Sequence, residues 1–136
     1  MDSAASGCDL RGRVRVLQAT GGEVEQVTEV EIAAAKAEIG SDGVGCEPAS
    51  AVTLAGLKKL TQRGFVKPGE SVVLILTGHL LKDPDFTIKF HRGDLFAGTA
   101  SENEARQTKP QQRAPVVLEA DLGAVIAALD TAERNS

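Results

Sequence analysis

The chain has 136 residues, enough for one domain with a modest core, and its 42% hydrophobic and 25% charged residues are ordinary for a globular protein. A formal net charge of −4 offers no basic excess for a phosphate backbone, and 3% aromatics with no Trp or Tyr leave no base-stacking platform, so no nucleic-acid partner is expected. No apolar run reaches the roughly 20 residues of a membrane span, and Met1 to Arg13 contains no hydrophobic signal core, so a cytoplasmic protein without a membrane partner is expected.

Cys8 and Cys46 are too few for a disulfide framework. Neither has a second Cys or a His at ligand spacing, so no metal site is expected and both are read as reduced thiols. Residues 1 to 12 show no period. Arg13 to Gln18 can end a helix, with Gly21-Gly22 as its stop, and residues 23 to 27 suit a short strand. Thr28-Glu29-Val30-Glu31 is a capping box that opens a helix to about Ile39. Ile32, Ala35 and Ile39 share one face of it, with Lys36 and Glu38 off that face. Gly40 to Gly43 is a turn. Gly40-x-x-Gly43-x-Gly45 has only a superficial likeness to a phosphate loop, because no helix follows it directly.

Pro48 suits the first turn of a second helix, about Ala49 to Arg63. That helix is apolar almost all round, which predicts burial against a sheet. Lys67 to Glu70 is a turn, and Val72 to Leu76 is a continuous aliphatic run without alternation, the pattern of a central parallel strand covered on both faces. Thr77-Gly78 ends that strand, Pro84 stops any helix after it, and Phe86 to Phe90 is read as another short strand. Gly98 to Arg113 reads as a mobile polar linker. Pro115 to Leu118 is a short extended piece. Asp121 caps a last helix to about Arg134, striped by Leu122, Val125, Ile126 and Leu129.

These elements predict an α/β fold: a partial three-layer α/β/α domain with a mostly parallel sheet. The divisions are a poorly matching N-terminal segment 1–20, a core part 21–97, a polar linker 98–114, and a terminal strand and helix 115–136. The strand at 72 to 76 demands neighbours that few other segments supply, so the chain is expected to assemble with something else or to be cut from a longer protein. A small three-layer domain that closes by itself is the alternative.

Two stretches carry a family resemblance: Gly45-Cys46-Glu47-Pro48-Ala49-Ser50-Ala51 and the ten residues from Leu76 to Asp85, Leu-Thr-Gly-His-Leu-Leu-Lys-Asp-Pro-Asp. From about Gly21 to Phe90 the chain resembles threonine synthases, which are pyridoxal-phosphate enzymes of the second major fold type, with two α/β domains and the cofactor between them. The resemblance implies the C-terminal part of such an enzyme, which converts O-phospho-L-homoserine and water to L-threonine and phosphate. It places Thr77 at the cofactor's pyridine nitrogen, with Gly78 beside it. A hydroxyl just past the carboxyl end of a strand suits that position, since open α/β sheets bind ligands there. A neutral partner also moderates the electron-sink strength of the ring compared with a carboxylate.

Glu47 has two readings, a cofactor-facing carboxylate or an anion favoured by a helix N-terminus. His79 is expected on the rim, Lys82 and Asp83 to pair or shape the loop, and His91-Arg92 has no assigned role. The Schiff-base lysine string and the glycine-rich phosphate loop of the family are absent. Lys36, Lys58, Lys59, Lys67, Lys82, Lys89 and Lys109 all lie in other contexts. No catalytic residue is therefore assigned, and the chain alone is expected to be inactive. A complementing N-terminal half is the expected partner. A non-catalytic binding or regulatory module, or part of a related dehydratase, are the alternatives.

Overall fold

The computed structural model describes residues 10–134. Six α-helices follow one another among them: α1 (Leu10–Thr20), α2 (Glu29–Ser41), α3 (Pro48–Gln62), α4 (Pro84–Arg92), α5 (Glu102–Ala105) and α6 (Leu122–Arg134). Short 3-10 turns occupy Leu80–Lys82 and Arg106–Gln111.

Local signals set most helix ends. Gly21, with φ at 65°, stops α1 while the Gly22 N–H reaches back to the Leu17 carbonyl at 3.0 Å. The capping box at Thr28 is complete. The Glu31 N–H donates to Thr28 Oγ1 at 3.2 Å, and the Thr28 N–H donates to Glu31 Oε2 at 2.7 Å. Pro48 occupies the first turn of α3, where its missing N–H costs nothing.

The core lies between α2 and α3. Ile32, Ala35, Ile39, Cys46, Ala51 and Ala55 are buried together, with Val27, Leu54 and Leu76 packed at the margin. Small residues such as Ala51 and Ala55 let the two helices come close. The cations near the end of α3 then hold the segment before α2. Lys59 Nζ donates to the Gln26 carbonyl at 2.8 Å, and Arg63 Nη1 meets Glu25 Oε2 at 2.7 Å. This tethered segment spans the residues expected to form a strand at 23 to 27, and it joins no sheet.

The expected parallel sheet is not present among the described residues. Their one β-type contact is an isolated antiparallel bridge between Cys46 and His79. Val72 to Leu76 has no ladder partner, and it is half-covered rather than enclosed: Val73 is 87% and Ile75 71% exposed, while Leu74 and Leu76 are partly buried. The inward and outward alternation is that of a chain lying on one surface. A strand needs neighbours about 4.8 Å away to satisfy its backbone, and α3 instead packs on α2. The α/β/α domain, and the two-domain fold type that the resemblance implies, are thus overturned for the described residues.

Other segments differ as well. Phe86 to Phe90 lies inside α4 rather than in a strand. Pro84 starts this helix instead of preventing one, Asp83 Oδ1 accepts from the Phe86 N–H at 3.2 Å, and Gly93 with φ at 85° ends it. The polar stretch 98 to 113 carries α5 and a 3-10 turn, with Ala105 and Thr108 buried. Thr28 Oγ1 donates to Glu104 Oε1 at 2.8 Å, tying α5 to the start of α2. Asp121 caps α6 as its spacing predicts, accepting from the Ala124 N–H at 3.0 Å, but the apolar stripe of that helix is exposed. No described helix is long and apolar enough to cross a membrane.

Candidate functional site

Two loops meet at the N-terminus of α3. One is Gly45-Cys46-Glu47, which leads into the helix; the other is Thr77-Gly78-His79, which follows the aliphatic run. The Glu47 N–H donates to the Gly78 carbonyl at 3.0 Å, next to the Cys46–His79 bridge. Two glycines permit this approach. A Cβ on Gly78 would overlap the Glu47 carboxyl, and a Cβ on Gly45 would lie 2.8 Å from Leu80 Cβ.

Ser50 is the hub of the junction. It is 2% exposed, and its Oγ accepts from both the Thr77 and the Gly78 N–H at 3.0 Å. Its own N–H donates to the Glu47 carbonyl at 3.1 Å. Thr77 is an exposed residue, but its hydroxyl lies 3.5 Å from the buried Ser50 Oγ, and its backbone is fixed from below by the same group. The structure therefore brings Thr77, Gly78 and Glu47 together at one junction. It adds Ser50, which the residue pattern did not single out. The only hint was its place in the Glu-Pro-Ala-Ser string, because the bonds it makes span 27 and 28 residues.

Glu47 is the N-cap of α3 but makes no side-chain cap bond. Its carboxylate pairs with Lys82 Nζ at 2.7 Å, with 15% of the Glu47 and 67% of the Lys82 side chain exposed. Lys82 thus pairs with Glu47 and not with Asp83, which caps α4. His79 is exposed, and its Nδ1 accepts from the Leu81 N–H at 3.1 Å, shaping the turn. No cluster of His, Cys, Asp or Glu able to hold a metal is found among the described residues.

Pyridoxal phosphate would meet donors suited to it at one edge of this junction only. A hydroxyl on a pinned backbone suits a ring nitrogen. The phosphate would need free N–H groups and positive charge, but a carboxylate already stands at the start of α3. Thr77 would hold the ring edge on a backbone that Ser50 fixes, and the phosphate would have to be bound elsewhere.

A second group of polar side chains lies between α2 and α4. Lys36 is 6% exposed, contrary to its expected place off the buried face, and its Nζ donates to Thr87 Oγ1 at 2.7 Å. Burial pushes its pKa below the usual lysine value, opposed by the nearby Cys46 and Asp83. Burial likewise raises the Cys46 thiol, with Lys36 opposing and Glu47 reinforcing the shift. His91 is lowered by burial and by the neighbouring Lys36 and Arg113.

Comparison with known proteins gives the family. The family described as "Pyridoxal-phosphate dependent enzyme" matches residues 1–78, more than half of the chain. The threonine synthase of Methanosarcina acetivorans is 48% identical over 73 residues, covering 53% of this chain and 18% of the relative. That of Methanocaldococcus jannaschii is 45% identical over 74 residues, covering 54% of this chain and 18% of the relative. That of Bacillus sp. (strain ULM1) is 39% identical over 83 residues, covering 60% and 24%. The matched stretch spans about a fifth of the length of these curated relatives. The chain belongs to the family of pyridoxal-phosphate dependent enzymes and is related to threonine synthases.

Proposed function

We propose that this chain supplies the ring-nitrogen edge of a pyridoxal-phosphate site in an enzyme that converts O-phospho-L-homoserine and water to L-threonine and phosphate. The observation that supports the reading best is the double clamp of Ser50 on the Thr77 and Gly78 N–H groups, which fixes the Thr77 backbone, and with it the hydroxyl, beside the start of α3. When bound, the cofactor would withdraw electrons from the carbons next to the substrate amine.

Within this reading Thr77 Oγ1 orients the ring through its nitrogen and leaves that nitrogen without a carboxylate partner. Gly78 leaves room for the Glu47 carboxyl beside Thr77, which sets how closely the two loops approach. Glu47, held by Lys82, keeps a negative group near the same edge and closes the junction from the α3 side. The Schiff-base lysine string and the phosphate cradle are not among these 136 residues and would come from the rest of the complete enzyme, with a complementing N-terminal half as one source, so these residues alone are inactive. The divisions 1–20, 21–97, 98–114 and 115–136 go with this reading, the second carrying the site. The compartment proposed is the cytoplasm.

Two assays test it. The purified chain with pyridoxal phosphate and O-phospho-L-homoserine should release no threonine, and threonine formed by the chain alone would overturn the division of labour. A chimera in which residues 21–90 replace the matching stretch of the Methanosarcina acetivorans enzyme should form threonine. Thr77→Val in that chimera should lower kcat/KM by about 10- to 100-fold, the loss of one hydrogen bond to a polar ring. An unchanged kcat/KM would remove Thr77 from the site.

A further inference from the structure

A cavity of about 570 Å³ opens between α2, the 43–46 loop and α4, and none of Glu47, Ser50, Thr77 or Gly78 lines it. Its walls are mainly Ala33, Ala37, Leu80, Phe86 and Phe90, and Lys36 is the one lysine lining it. The buried Nζ of Lys36 has a neutral partner, the Thr87 hydroxyl, and forms no ion pair among the described residues. Facing the same space are Glu38, Cys46, His91 and Arg113, while the charge of Asp83 reaches Lys36 from the start of α4. Glu38 is turned to an ion pair with Lys58.

We propose that this cavity is a carbonyl-binding site in which Lys36 forms an imine with a small, uncharged, apolar aldehyde. A desolvated lysine amine is a better nucleophile than a solvated one because less of it is tied up as ammonium. The apolar walls bury the body of the aldehyde and bring its carbonyl to the amine. The unprotonated Nζ attacks the carbonyl carbon, the C=O electron pair moves to oxygen, and one proton passes from nitrogen to that oxygen to give the carbinolamine. The C–O bond then breaks as the nitrogen lone pair forms the C=N bond and nitrogen gives up its second proton, so both amine protons leave with the oxygen as one water, with no oxidant or reductant. His91 Nδ1 accepts from the Arg113 N–H at 3.0 Å, so the neutral ring carries its proton on Nε2 and offers a donor on the cavity wall. The polar part of the lining, with Lys36, His91 and Arg113 beside Glu38, is small next to the apolar walls that would bury the body of an uncharged aldehyde. The site shares no lining residue with the proposed cofactor edge at Glu47, Ser50, Thr77 and Gly78.

The test is reductive labelling of the full chain with benzaldehyde and cyanoborohydride near neutral pH, followed by peptide mass mapping over its seven lysines. Lys36 should carry a several-fold excess of benzyl adduct over every other lysine. Even labelling, or protection of Lys36, would overturn the proposal. Ala37→Leu narrows the cavity and keeps the amine, so it should remove the excess at Lys36 and leave the remaining lysines unchanged. An undiminished excess would contradict the cavity's role. Lys36→Met, if it folds, should leave only the even background. Pyridoxal phosphate used as the aldehyde should show no preference for Lys36, and a preference for it over benzaldehyde would overturn the assignment of an uncharged ligand.

Discussion

The α2–α3 pair and the aliphatic run at 72 to 76 are both rich in branched apolar residues, yet their fates differ. In the pair, Ile39 is 8% and Ala51 0% exposed; in the run, Val73 is 87% exposed. The pair brings its own partner, because α3 follows α2 after a short turn and its small residues allow close contact. The run needs a strand to pair with, and no described residue offers one. Apolar content thus dictates burial only where a complementary surface lies within reach. The exposed stripe of α6, with Leu129 at 61%, makes the same point.

The sharpest way to break this contrast is truncation on both sides of it. Ile39→Ala should destabilise the chain by about 2–5 kcal/mol through lost burial and a residual cavity. Leu129→Ala should stay within about 0.5 kcal/mol, as surface changes do. Equal effects in urea denaturation would erase the distinction. Ser50→Ala comes next. It strips two N–H groups of their acceptor at a buried position, and a loss of about 1–3 kcal/mol is expected, read from the same denaturation midpoint. Thr28→Ala should cost about 1 kcal/mol by removing the α2 cap, with loss of helical circular dichroism on heating as the readout.

The smallest expected effect is a pH dependence at that cap. Burial tends to raise the Glu31 pKa, but bonds to Lys59 and to the Thr28 N–H outweigh it and hold the value below the ordinary carboxylate one. A carboxyl whose folded pKa is depressed adds stability above its unfolded pKa and loses it as pH falls through the folded one. The melting temperature should therefore drop on acidification below the ordinary glutamate range, and Glu31→Gln should flatten part of that drop. A steeper drop in the variant would reverse the sign.

What could be read directly from the chain was local. The capping box, Pro48 in the first turn of α3 and Asp121 before α6 each depend on residues three or four apart. The misreadings depend on distant partners or on one ambiguous residue. Val72 to Leu76 looks like a buried strand whatever surrounds it, because an unalternating run carries no information about its neighbours. Pro84 serves equally as a stop and as a first helical residue, and the Asp83 side chain decides for the latter. Lys36 falls off the stripe drawn by Ile32, Ala35 and Ile39, and only the arrival of α4, with Thr87 as its acceptor, covers it. At the candidate site Thr77, Gly78 and Glu47 were visible through the family motif. The hydroxyl that joins them was not, since it bridges segments far apart in the chain.

Amide hydrogen exchange followed residue by residue tests the loop clamp most directly. Thr77 and Gly78 should exchange slowly, Val73 and Ile75 fast, and Ser50→Ala should release the first two while the α2 amides stay protected. Fast exchange at Thr77 and Gly78 in the unaltered chain would contradict the anchoring on which the site rests.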